Sequence, residues 1–261
     1  RRTYTMKKIF SIIAVITTLT LSGCANNFLE TEPTDQVATG SLMSDATSAM
    51  TALNGIYRCL FWGGWGDGWE PENGGLPAYI TMFDLYAEDH IMDDMGSGWF
   101  YYDYAYNTWT DYTHDASHSY NVWNFCYTLI ANANNLIASV PEMTGDEGLK
   151  QSVLGQAYAI RANAYWWLAN AYCQNGGPAG DSRRTEVKGV PVYTEPTTIK
   201  SEGVGRGTIQ QTYDRINADI DSAIVYLEAC GVDQMHISHI NTYVAYGLKS
   251  RFAMTQNDYA T

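Results

Sequence analysis

Thr208-Ile209-Gln210-Gln211 forms a capping box, in which the threonine hydroxyl and the glutamine amide each satisfy a free backbone N–H at a helix start. Ile209, Tyr213, Ile216, Ile220, Ala223, Ile224 and Leu227 then recur at helical spacing for about five turns, and Gly231 closes the segment. A helix with one long apolar stripe must bury it against neighbours, so the rest of the chain has to supply matching helices.

It supplies four more. With Ser44 as its expected cap, a first segment carries Ala46, Ala49, Met50, Leu53, Ile56, Tyr57 and Leu60 on one face. A second begins near Ser119, carries Val122, Trp123, Cys126, Tyr127, Ile130, Ala133, Asn134 and Ile137, and ends at Pro141. A third, Gln151 to Tyr172, carries Leu154, Ala157, Tyr158, Arg161, Ala164, Tyr165, Leu168 and Tyr172 before "QNGGPAG" stops it. The capping-box helix is the fourth, and a fifth begins near His239 and runs toward Tyr259. "GVPVYTEPTT" reads as an extended connector with one short strand, because its prolines and β-branched residues oppose helix. The fold class is mainly α. Helix pairs with Ala and Tyr at packing positions suggest tetratricopeptide-type (TPR) hairpins, although a strict repeat period is absent. "RFAMTQNDYAT" begins a new hairpin whose partner is missing, so the chain is expected to be incomplete at its C-terminus.

The other end of the chain points to a compartment. Ile9 to Leu21 is an apolar run of 13 residues, short of the roughly 20 a membrane helix needs. Lys7 and Lys8 precede it and Leu-Ser-Gly-Cys follows, the pattern of a signal peptide ending in a bacterial lipobox with Cys24 as the lipidated residue. The expected organisation is residues 1–23 as upstream residues and signal peptide, 24–43 as lipidated cysteine and linker, and 44–261 as the helical domain. Losing Arg1, Arg2, Lys7 and Lys8 with the signal takes the net charge from −13 to −17. Such acidity opposes nucleic acid, whose phosphates need Lys and Arg, so any membrane contact runs through the lipid alone. Cys59, Cys126, Cys173 and Cys230 are widely spaced on helical patterns and are expected as four core thiols.

Between Phe61 and Tyr112 the pattern changes. "FWGGWGDGWEPENGG" interleaves Trp62, Trp65 and Trp69 with glycines, Asp67 and Asn73; "GWFYYDYAYNTWTDY" adds Trp99, Tyr101 and further aromatics. The glycines argue for loops. Flat rings beside short polar side chains suit sugars, whose C–H faces stack on rings while their hydroxyls need hydrogen-bond partners. Trp62, Trp65, Trp69 and Trp99 are the candidates for stacking, and Asp67, Asn73 and Tyr101 for hydrogen bonding. The competing role for each ring is to pin a long loop onto the helices, and Tyr101 to Tyr106 also matches a half-buried strand or a core-facing segment. "DLYAEDHIMDD" reads as a solvated acidic helix end, without Ca-loop or HExxH spacing. No catalytic residue, metal ligand or cofactor motif stands out.

The ordered set of features resembles the SusD/RagB family of surface lipoproteins. The lipobox, "NNFLETEPTDQV", "LNGIYRCL", "LYAEDHIMDD", "VWNFCYTLIANANNLIASV", "GQAYAIRANAYWWLANAYCQNGG", "GVPVYTEPT" and "TYDRINADIDSAIVYL" follow the order of the N-terminal half of such proteins. The resemblance implies a non-catalytic, TPR-containing protein at the outer membrane. It would capture oligosaccharide with loop aromatics and sit on a SusC-like TonB-dependent transporter. Two alternatives remain open: an α-helical glycoside hydrolase using carboxylates from Asp84 to Asp94, and a peptide-import or scaffolding member without a glycan site.

Overall fold

The computed structural model describes residues 44–61, 70–87, 89–94, 96, 98–106 and 117–259. Cys24 and the linker lie outside them. Seven α-helices are present among the described residues: α1 (Ala46–Cys59), α2 (Leu76–Tyr86), α3 (Tyr101–Tyr104), α4 (Ser117–Ser139), α5 (Glu147–Tyr172), α6 (Ile209–Ala229) and α7 (Thr242–Thr255).

α5 is the axis of the fold. Fourteen of its residues are buried, spread around the whole circumference, as expected of a helix with neighbours on every side. It packs on α6 along most of its length, and also on α4, α1 and α7. Small residues make the close approach possible. A Cβ on Gly155 would lie 2.6 Å from Leu227 Cγ and 3.0 Å from the Ala223 carbonyl of α6. Two hairpins result, α4 with α5 and α6 with α7, joined through the α5–α6 contact.

The helix ends follow local chemistry. The expected Thr208 capping box is present, with Gln211 N–H donating to Thr208 Oγ1 at 3.2 Å and Thr208 N–H to Gln211 Oε1 at 2.9 Å. Pro141 ends α4 in a single 3₁₀ turn, Val140–Glu142. Other boundaries differ from expectation. The cap of α1 is Asp45, whose carboxylate accepts the Ser48 N–H at 2.8 Å; Ser44 stands one residue too early. α5 starts a turn before Gln151 because Asp146 accepts the Leu149 N–H at 2.7 Å. α7 starts at Thr242, after the Asn241 cap, because His239 is buried in the preceding loop instead of opening the helix.

The connector from 187 to 208 is extended but forms no strand. It makes one isolated bridge, Lys188 to Thr208, and its other hydrogen bonds go mainly to helix side chains. A buried ionic cluster organises them. Arg161 donates to Asp219 at 2.8 and 2.7 Å, to Asn134 Oδ1 at 2.6 Å and to the Thr194 carbonyl at 3.2 Å. Asn134 in turn donates to the carbonyls of Tyr193 and Glu195, and Arg215 adds a second ion pair to Asp219 at 2.7 Å. Three helices and the connector therefore share one polar knot. Burial opposes the charge on Arg161, but the Asp219 carboxylate outweighs it and holds the guanidinium pKa above its ordinary value. The four thiols are free, yet only Cys126 is buried; Cys59, Cys173 and Cys230 sit half-buried at helix ends, which corrects the expectation of four core residues.

Candidate functional site

The aromatic segment is not all loop. α2 lies inside it and buries Ala78, Tyr79, Met82 and Leu85 at helical spacing. Gly75 and Pro77 mark its start, the usual place for proline in a helix. Gly75 has φ +76°, and a Cβ there would meet the Leu60 carbonyl oxygen at 2.5 Å, so only glycine fits. The same carbonyl accepts the Leu76 N–H at 2.7 Å. The end of α1 is thereby fastened to the start of α2, and both flanks of the 62–69 stretch are held. Trp62, Trp65, Asp67 and Trp69 themselves lie outside the described residues.

Asn73 is inside a 3₁₀ turn, Pro71–Asn73, and is 4% exposed. Its Oδ1 accepts the Glu70 N–H at 3.0 Å, so its side chain caps this turn. Glu72, beside it, accepts the Phe100 N–H. Phe100 is in the left-handed region, φ +60°, and this kink starts α3. The alternation from Tyr101 to Tyr106 thus ends in one helical turn followed by left-handed Tyr106, instead of the half-buried strand. The reason is Asp103: it is fully buried and accepts Tyr86 Oη–H at 2.7 Å, with His118 Nε2 3.6 Å away. Anchoring Asp103 inward turns other rings outward. Trp99 is 39% exposed, Tyr102 56% and Tyr106 51%, while Tyr101 is half-buried with its ring edge-on to Tyr102 at 6.2 Å.

Beside these rings α2, the start of α4 and the end of α5 enclose a cavity of about 120 Å³, lined by Phe83, Tyr86, His118, Ser119, Val122 and Tyr172 among others. Its lining is aromatic and aliphatic apart from His118 and Ser119. Burial pushes the Tyr172 phenol well above its ordinary pKa, so that hydroxyl stays protonated. The acidic run beyond α2 closes a helix end: Asp84 pairs with His90 Nδ1 at 3.3 Å, and Asp89, Asp93 and Asp94 are exposed. Among the described residues no group of three or more His, Cys, Asp or Glu could hold a metal ion, and no helix is long and apolar enough to cross a membrane. Sequence reading missed α2 and the Tyr86–Asp103–His118 arrangement. The Gly-Leu-Pro start and the Ala78-Tyr79-Met82-Leu85 spacing were signals for the first; nothing local marks the second, whose members come from three elements.

A family profile described as "Starch-binding associating with outer membrane" matches residues 79–254. The chain has the fold of several solved structures. A SusD-like carbohydrate binding protein from Bacteroides vulgatus shares 20% identity at a TM-score of 0.61, over 82% of this chain and 42% of that one. A SusD superfamily protein from Bacteroides thetaiotaomicron shares 21% at 0.58, over 82% and 43%. A laminarin binding SusD-like protein shares 18% at 0.55, over 81% and 40%. The chain thus spans less than half the length of these structures. No curated protein matches it. The expected ancestry is confirmed on both sequence and fold: this chain belongs to the SusD-like family.

Proposed function

We propose that the protein binds oligosaccharide at the cell surface without cutting it, and passes it to a SusC-like TonB-dependent transporter. The family description and the laminarin- and carbohydrate-binding relatives support the glycan class. The observation that carries the reading is the α3 turn. It spends Asp103 and Phe100 on internal contacts, the second with Glu72 of the Pro71–Asn73 turn, and so presents Trp99 and Tyr102 outward. Rings that packing alone required would be turned in, as Tyr79 and Tyr165 are.

In this reading Trp62, Trp65, Trp69 and Trp99 stack on sugar faces, and Asp67 and Tyr101 hydrogen-bond hydroxyls. Asn73 acts by shaping the loop rather than by touching ligand. Cys24 carries the acyl anchor at the outer membrane, and the TPR-type hairpins face the transporter. The reading involves no covalent step, in keeping with relatives described as carbohydrate binding, and Asp84 of the acidic run pairs with His90.

Affinity electrophoresis in gels containing laminarin, starch or other neutral polysaccharides tests the glycan reading. Retardation by at least one polysaccharide, lost in Trp62→Ala/Trp65→Ala and reduced in Trp99→Ala, is the expected result. Unretarded migration of the wild type in every gel would reject it, and release of reducing ends from a retarding polysaccharide would point to the hydrolase.

A further inference from the structure

A larger cavity than the one beside α2 lies away from the aromatic segment. It holds about 220 Å³ between α4 and the connector. Ile130 and Ala131 of α4 line it together with Tyr127 and Tyr193, whose rings pack edge to face with centroids 6.1 Å apart at 86°. Thr197 and Glu202, both exposed, also line it. We infer that this cavity is a second carbohydrate site, which takes a single sugar ring of a neutral glycan; the inference rests on the glycan-binding reading above.

The site is built in advance. Tyr193 is held at three points: its N–H donates to Tyr165 Oη at 2.7 Å, its carbonyl accepts from the same hydroxyl at 2.8 Å, and its own Oη accepts the Val204 N–H at 3.0 Å. Tyr127 donates to the Pro191 carbonyl at 2.8 Å. The rim loop is closed by Thr198 N–H to Ser201 Oγ at 2.9 Å and Ser201 N–H to the Thr198 carbonyl at 3.0 Å. A preformed wall and rim leave little ordering cost for a ligand.

The chemistry selects the ligand class. Glu202 and Thr197 line the cavity, are exposed, and their side chains make no hydrogen bond among the described residues, so a carboxylate and a hydroxyl with capacity to spare belong to its lining beside the tyrosine rings. A wholly apolar ligand would strip water from that carboxylate and return nothing. An anion would be repelled by it, and by a chain of net charge −13. A sugar ring meets both demands, with C–H faces for the tyrosines and hydroxyl donors for Glu202. The volume lies below the several hundred Å³ of a drug-sized pocket, as one ring requires.

This is not the aromatic-segment site by another route. Its α4 residues, 127–134, lie about 16 Å along the helix from residues 118–122 of the smaller cavity, at 1.5 Å per residue. What joins the two is a row of packed rings. Tyr172 lines the smaller cavity; Trp123 is 5.1 Å from it, Tyr127 4.7 Å from Trp123, and Tyr193 ends the row. The row fixes the spacing of the two sites, so a long chain of sugars engaging both would gain by the intramolecular character of the second contact.

The test uses the whole chain labelled with 13C at alanine methyls, titrated with maltotriose, laminaritriose, cellotriose, mannotriose and, separately, tetramethylammonium chloride. The Ala131 signal, assigned with Ala131→Gly, reports the cavity floor. A saturable Ala131 shift is expected with at least one trisaccharide. It should persist in Trp99→Ala, and its dissociation constant should rise about tenfold in Glu202→Gln, the usual loss for one hydrogen bond to a charged group. Glu202 is exposed and outside every helix, so its replacement leaves the fold intact for this reading. If Ala131 stays still with every trisaccharide while polysaccharide gels still retard the protein, the second site is wrong and the glycan reading stands. If no gel retards it, both fail. Saturation by tetramethylammonium at lower concentration than by any sugar would make the cavity a cation site and overturn the inference.

Discussion

The α4–α7 bundle and the α2–α3 segment solve opposite problems with similar residues. At the centre of the bundle a tyrosine turns inward: Tyr165 of α5 is fully buried and spends its hydroxyl on the connector backbone, while Tyr120, Tyr243 and Tyr246 stay on the outer faces of α4 and α7. In the α2–α3 segment an aspartate turns inward, and aromatic rings are left at the surface. Burial of a charged or polar group is tolerable only with partners, so where the polar side chain goes decides where the rings can go. The bundle has long helices to bury rings between; α3 has one turn and cannot.

This contrast can be broken at its strongest point first. Asp219→Ala leaves the buried Arg161 guanidinium without its carboxylate and should cost about 3–5 kcal/mol, read by urea unfolding. The double change Arg161→Met/Asp219→Leu should recover part of that loss, because it removes the Arg161–Asp219 pair together and leaves only the partly exposed Arg215 without its carboxylate. Gly155→Ala places a methyl group 2.6 Å from Leu227 Cγ, and overpacking of this kind should cost about 1–3 kcal/mol. Thr208→Ala removes the α6 cap and should cost about 1 kcal/mol in the same measurement.

A smaller effect separates the α6–α7 loop from both regions. His239 is buried, stacks on Tyr57 at 4.8 Å and meets Asn54 Oδ1 at 2.8 Å. Burial, and after it the charge of His236, holds its pKa below 6.5. The unfolded chain therefore binds this proton more readily than the folded one. The histidine's contribution is complete above the unfolded value and declines as pH falls below it. Thermal melts of the wild type should drop between pH 7 and 5 more than those of His239→Gln. Smallest of all, Trp99→Ala should change stability by no more than about 0.5 kcal/mol while weakening retention in a polysaccharide gel. A large stability loss there would make Trp99 a packing residue and erase the contrast.

What could be read from residue order was what depends on near neighbours. Helical spacing and the Thr208 box located α6 within a residue, and Pro141 located the end of α4, because caps and breaks act over three or four positions. The same logic misplaced starts where two candidates stood side by side, as with Ser44 and Asp45, since a hydroxyl and a carboxylate in adjacent positions compete on geometry. Arg161 read as one more position on an apolar face, because its partners, Asn134 and Asp219, are 27 and 58 residues away.

By itself, then, the amino-acid order determined a mainly α chain, its helix periods and caps, its acidity and its family likeness. These rest on contacts within a turn or two or on composition. Tertiary structure alone decided which rings face out, that Asn73 caps a turn, and that Tyr127, Tyr193 and Glu202 line one cavity. Each of those outcomes joins residues distant in sequence or depends on which polar groups have buried partners in the packed helices. No local pattern records that choice, because a buried carboxylate and an exposed one are the same letter until the chain closes around them.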